Sequence, residues 1–253
     1  MFQLDRWIKG LGLVGGFTLL IGCILWAEKK QAYRICQAID IHIADTAGHQ
    51  FIQETNLLAL LKQAYEGPLI GTLLQQISAK KIADIINAHN FVHIGKVYKT
   101  WNGRIKISII PRRPIARILH AGKQDQYIDA QGRLLPLSAN YTARVLLIHG
   151  ANLQGFPNNI KDSEHGLAFF QLLTFIDQDP FWHAQITHIS EDQQGKLTIN
   201  TQIGKQLIAF GQLQDINKKM EKLKLFYQVI LPYKGWNKYK RVNLEFDNQI
   251  VCE

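Results

Sequence analysis

The chain has 253 residues, is 47% hydrophobic and carries a formal net charge of +9. That is room for one or two folded domains with a real core, and it excludes an intrinsically disordered polymer. The charge is uneven: residues 28–124 hold 14 Lys/Arg against 6 Asp/Glu, residues 205–241 hold 9 against 2, and the last twelve residues hold 0 against 3. No nucleic-acid-binding motif accompanies the basic stretches, so they read as solvated faces near a polyanionic surface.

From the N-terminus, residues 1–9 read as a short tail, whose side of the membrane the residues alone leave open. No charge interrupts the sequence from Gly10 to Ala27, and eighteen residues at 1.5 Å rise cover about 27 Å, enough for a thin hydrocarbon core. With Trp7 and Trp26 near its ends, the stretch 10–27 reads as one transmembrane helix. "LIGC" at Leu20–Cys23 resembles a lipobox, so a lipoprotein anchored at Cys23 is the alternative. Gly12 and Gly16 form a GxxxG that reads as ordinary glycine in such a helix. Flanking charge is nearly balanced and does not by itself set the topology.

A basic linker, 28–35, precedes the first folded domain, 36–112. "AIDIHIA" alternates and reads as a strand. "QETNLLALLKQAY" has helical spacing at Leu57, Leu60, Leu61 and Ala64, and "SAKKIADIINAHN" starts at a plausible N-cap, Ser78. "VHIGKVYKTW" and "RIKISII" are alternating strands joined by Asn102-Gly103, which type I′ turns prefer. Pro111 and Pro114, unfavourable within a central strand, place a boundary there.

The second domain, 113–253, is strand-rich. Strands are expected in "ARILHA", "QYIDAQGRLLPL", "ARVLLIHG", "AQITHISED", "KLTINTQIG" and "KQLIAFG", with two helices near His165–Ile176 and Asp215–Val229. From Val242 the even positions read Val242, Leu244, Phe246, Asn248, Ile250 and Cys252, while the odd positions are polar except Val251. This is the pattern of a long half-buried terminal strand. Asp247-Asn248 offers an alternative, a turn that folds the ending into a small hairpin. The fold class is α+β: a single N-terminal transmembrane helix, a β-α-α-β-β domain, then a larger β-domain with two helices.

Chemistry is hard to find. There is no HExxH, GxSxG, Walker loop or GxGxxG. Cys23, Cys36 and Cys252 lack CxxC spacing and give no zinc site or redox motif; free or buried thiols are expected over a Cys36–Cys252 bridge. His183 and His188, five apart in one expected strand, point to opposite faces. Asp177 and Asp179 read as capping or turn residues before Pro180, and Glu191-Asp192 as a turn. No enzyme activity, cofactor or metal is expected.

"KKIADIINAHNFVHIGKVYKTWNGRIKISIIPRRPIARI" resembles the end of the POTRA domain in the FtsQ/DivIB family of bacterial cell-division proteins, matching at Val92, Val97, Lys99, Trp101, Ile105, Ile107, Ile109, Arg112, Pro114, Ile115 and Ala116. "YIDAQGRLLPL" is similar to that family's "hhD-x-x-G-x-h" strand, h being apolar, and "VNLEFDNQIV" to its terminus. Asn102 stands where the family often has Pro, Pro111 where it often has Glu, and Glu245 where Arg is common. The resemblance implies a non-catalytic scaffold of the inner membrane at the division site, single-pass, with its C-terminal domains outside the cytoplasm. It implies small bitopic coiled-coil partners of the FtsB/DivIC and FtsL type, taken up by strand addition at the last strand, together with other divisome proteins. The contact is then expected at Phe246, Asn248, Gln249, Ile250 and Val251. Because POTRA units also serve envelope export and assembly, an export factor is the alternative.

Overall fold

The computed structural model describes residues 16–23, 34–46, 51–153, 158–247 and 249–253. The expected transmembrane helix is not supported. Among the described residues no helix is long and apolar enough to cross a membrane. Residues 16–23 form a helix, α1. The rest of that reading lies outside the described residues: positions 10–15 and 24–27, with Gly12, Trp26, the tail that holds Trp7 and most of the linker. The single-pass inner-membrane placement falls with the helix that carried it.

The remainder is α+β and divides into two compact units, residues 1–45 with 52–111 and residues 46–51 with 112–253. The first unit holds β1 (Ala38–Ile43), α2 (Glu54–Ala64), α3 (Ala79–Asn87), β2 (Val92–Lys99) and β3 (Arg104–Pro111). β3 lies in the middle of the sheet, parallel to β1 and antiparallel to β2. Its alternation explains that place: Ile105, Ile107 and Ile109 are buried while Arg104, Lys106 and Ser108 face out. Leu57 and Leu61 of α2 and Ile82 and Ile86 of α3 are buried at helical spacing. Ser78 caps α3 by accepting from the Lys81 amide.

The β2–β3 connection is not a type I′ turn. Such a turn needs positive φ at both central residues, but Asn102 is not among the residues with positive φ and Gly103 is, at 83°. The Gly103 amide donates to the Thr100 carbonyl, and the Thr100 amide to Arg104. The result is a three-residue loop with glycine in the left-handed position. The Thr100 hydroxyl bonds the Asn102 side chain at 2.5 Å, which holds Asn102 in its ordinary conformation.

The second unit is a nine-stranded sheet in the order β12-β11-β10-β9-β8-β7-β4-β5-β6. Its strands are β4 (Pro114–Ile118), β5 (Gln126–Asp129), β6 (Leu134–Pro136), β7 (Leu146–Gly150), β8 (Ile186–Glu191), β9 (Leu197–Thr201), β10 (Leu207–Gly211), β11 (Arg241–Asn243) and β12 (Val251–Cys252). The pairs β4/β7, β7/β8 and β10/β11 are parallel. One register line crosses seven of these strands as Ile118, Ile148, Ile189, Ile199, Ile208, Val242 and Cys252. The first six are at most 1% exposed. α4 (Glu164–Gln178) and α6 (Ile216–Leu225) contribute Phe169, Leu172, Leu173, Met220 and Leu223 to the same core. Each expected helix continues into a short one. α5 (Pro180–Gln185) follows α4, with Asp179 as its N-cap; a π-turn, Phe226–Ile230, and α7 (Leu231–Lys234) follow α6.

At the start of this unit the Asp129 carboxylate is fully buried and 2.7 Å from the Arg112 guanidinium. Its other oxygen accepts from the Gln131 and Arg133 amides at 2.9 and 2.8 Å. Gly132 completes the turn at φ 85°, where an added Cβ would lie 2.8 Å from Asn159 Oδ1. This is the physical content of the "D-x-x-G" pattern: the aspartate folds the β5–β6 turn while it neutralises a buried arginine.

Two outcomes follow in denaturant unfolding. Gly103→Ala costs about 1–2 kcal/mol, since it forces a left-handed alanine with its Cβ 3.0 Å from the Ile35 carbonyl. Asp129→Ala costs more, about 3–5 kcal/mol, because it strands a buried guanidinium; Asp129→Asn, which keeps an acceptor for the two turn amides, falls between it and the native chain.

Candidate functional site

The long terminal strand does not form as one piece. The chain turns between Leu244 and Ile250, and β12 folds back antiparallel to β11 with Val242 opposite Cys252 and Asn243 opposite Val251. Local and distant polar contacts hold the turn. Asn243 accepts from the Glu245 amide at 2.9 Å, closing a local turn. Glu245 pairs with Lys196 at 3.0 Å, and Lys222 of α6 donates to the Phe246 carbonyl at 2.7 Å. Lys219, whose ammonium pKa is lowered mainly by burial, is drawn the other way by the charges of Asp215, Glu245 and Asp247. Glu245 thus contributes to holding the turn.

β12 is the terminal strand of the sheet. The amides and carbonyls of Arg241 and Glu253 bond each other in both directions, at 3.0 and 3.1 Å. Antiparallel alternation then makes Asn243–Val251 the next bonded pair and turns the amide and carbonyl of Cys252 away from β11. The other end of the sheet is closed differently. There β6 ends in Pro136, its Leu134 amide donates to the Asn158 carbonyl, and Arg133 bridges to Asn159.

The residues singled out from sequence are distributed over this hairpin. Phe246 lies in the turn, 47% exposed. Asn248 lies outside the described residues. Gln249 is exposed, and Ile250 is half-buried and packs against the core with Cys252. Val251 is on the opposite face, 36% exposed. Cys252 was not singled out, although the even-position alternation carried the signal. Its side chain ends the apolar row, its backbone is the free edge, and burial pushes its thiol pKa up, leaving it a packing group.

The other ionisable candidates have structural surroundings. Arg113 holds Asp177 through two bonds of 2.7 and 2.5 Å. Asp179 accepts from the Phe181 and Trp182 amides, and Lys224 above all holds its pKa below the usual carboxylate range. His183 is on helix α5, not on a strand with His188. His188, on β8, stacks on His149 with ring centroids 6.0 Å apart, and burial, then that neighbour, lowers its pKa. Glu191 is buried at the end of β8 rather than in an exposed turn, 2.7 Å from His165; Asp192 alone caps the turn that follows, accepting from Gln194 and Lys196.

The family described as FtsQ/DivIB, C-terminal related, matches residues 113–253, and a POTRA-like domain matches residues 34–110. A cell division protein FtsQ of Rhodothermus marinus is 24% identical over 186 residues, covering 72% of this chain and 67% of that protein. A cell division protein FtsQ of Salinibacter ruber is 22% identical over 197 residues, covering 72% and 71%. With more than half of its length matched by the family, the chain belongs to the FtsQ/DivIB cell division proteins and carries a POTRA-like domain ahead of the part that defines them.

Proposed function

We propose that this protein is a non-catalytic scaffold of the division machinery that takes up a strand from a small bitopic coiled-coil protein, of the FtsB/DivIC type paired with an FtsL type, at the free edge of β12. It thereby links early and late parts of the septal apparatus. The observation that carries this reading is the outward-facing backbone of Cys252 at the end of an otherwise closed apolar row. A strand laid there pairs those groups and extends the row by one more residue. Phe246, Gln249, Ile250 and Val251, with Asn248, supply the side chains around that edge. Ile250 and Cys252 stand on the face of the row, so the partner residue opposite Cys252 is apolar; Val251 on the other face reads a different set of partner side chains.

The test is Cys252→Pro, which removes an outward donor while leaving the inward bonds of Val251 and Glu253 to β11. Co-purification of the coiled-coil partner is expected to fall at least tenfold while a single cooperative unfolding transition shows the domain still folded. Val251→Ala, which keeps the backbone, loses less. Undiminished partner recovery with Cys252→Pro rejects the edge as the docking element.

A further inference from the structure

The three-stranded sheet of the first unit also ends in an open-looking strand. β2 is eight residues long, is terminal in the sheet, and exposes Ile94 and Tyr98. A strand of this kind is a template for pairing with another copy of itself. The Thr100 amide bonds the Arg104 carbonyl, and the register continues as Tyr98–Lys106, Lys96–Ser108 and Ile94–Ile110. The even-numbered residues therefore bond inward to β3, and Gly95, Val97 and Lys99 turn their amides and carbonyls outward.

At Gly95 both outward groups are already taken. The Gly95 amide donates to Asn87 Oδ1 at 2.8 Å, and Asn87 Nδ2 donates to the Gly95 carbonyl at 3.1 Å. The side-chain amide of Asn87, the last residue of α3, thus presents one donor and one acceptor in the places a neighbouring strand would fill. Only glycine lets it come so close. A Cβ at position 95 would lie 2.6 Å from Ile86 Cγ2 and 3.3 Å from Asn87 Oδ1. Two residues earlier the register shifts between Val92 and Ile94, a bulge that kinks the same edge. Val97 and Lys99 also face outward, and Lys99 turns its ammonium back to the Leu74 carbonyl at 2.7 Å.

We propose that Asn87 is an edge guard: its amide, seated on Gly95, keeps β2 from pairing edge to edge with β2 of a second copy of this chain. The guard is local to the first unit and does not depend on the scaffold reading of β12. In the full-length protein, hydrogen exchange resolved by residue is expected to find the Gly95 amide protected and the equally outward Val97 amide fast. Equal, fast exchange at both overturns the proposal without any substitution. Asn87→Ala is then expected to bind a labelled peptide of residues 92–99 at least tenfold more tightly than the native chain, by fluorescence anisotropy, and to self-associate in sedimentation. Adding Val97→Pro, which removes an outward donor and no inward bond, abolishes both. Equal peptide binding by native protein and Asn87→Ala, or self-association that survives Val97→Pro, overturns it.

Discussion

The second unit depends on one register line. Ile118, Ile148, Ile189, Ile199, Ile208 and Val242 sit side by side across six strands, and burying each such side chain contributes about 1.5–3 kcal/mol. The line mixes parallel and antiparallel neighbours, so no single hairpin or crossover creates it. A slip of one residue in any strand would move an isoleucine to the outer face and bring Leu147, His188, Asn200 or Leu207 inward. The register therefore fixes which backbone groups of each strand look toward which neighbour. At β12, where the row reaches Cys252, it fixes which groups look at nothing within the sheet.

Much of this was legible because period-two alternation is a direct consequence of a half-buried sheet. The isoleucines of "RIKISII", "KLTINT" and "KQLIAFG" announce both the strands and their inner faces, and Ser78 and the lysine-backed stripe Met220–Leu223 announce helices. What stayed hidden was set by contacts distant in sequence. Leu244 and Phe246 continue the alternation of β11 while Asp247-Asn248 offers a turn as the alternative; the chain takes the turn, and the contacts that hold it, Glu245 with Lys196 and the Phe246 carbonyl with Lys222, are distant in sequence. Asn102-Gly103 carries the dipeptide of a type I′ turn, but a hydroxyl two residues away selects another loop. Glu191 looks like a turn residue beside Asp192 until His165, on α4, is found against its carboxylate. The uncharged run of eighteen residues also read as a membrane span, whereas among the described residues no helix is long and apolar enough to cross a membrane.

Edges are where the two sheets part company. Strand addition is not specific in itself, since any exposed ladder of amides and carbonyls offers the same hydrogen bonds. Selectivity has to come from removing that offer wherever it is unwanted. β6 is closed by a proline and by the backbone of residues 158–160, and β2 is interrupted by a bulge and by the amide of Asn87 on Gly95, with Val97 and Lys99 still facing outward. Each closure takes a residue that alternation does not ask for: a proline in a strand, a glycine among isoleucines, a polar side chain at a helix end. No residue of that kind stands at Val251 or Cys252, where the side chains keep to the pattern and the backbone of Cys252 faces away from β11. A chain that merely needed to bury its core had no reason to treat these edges differently. The edges differ in which backbone groups their own unit leaves unpaired.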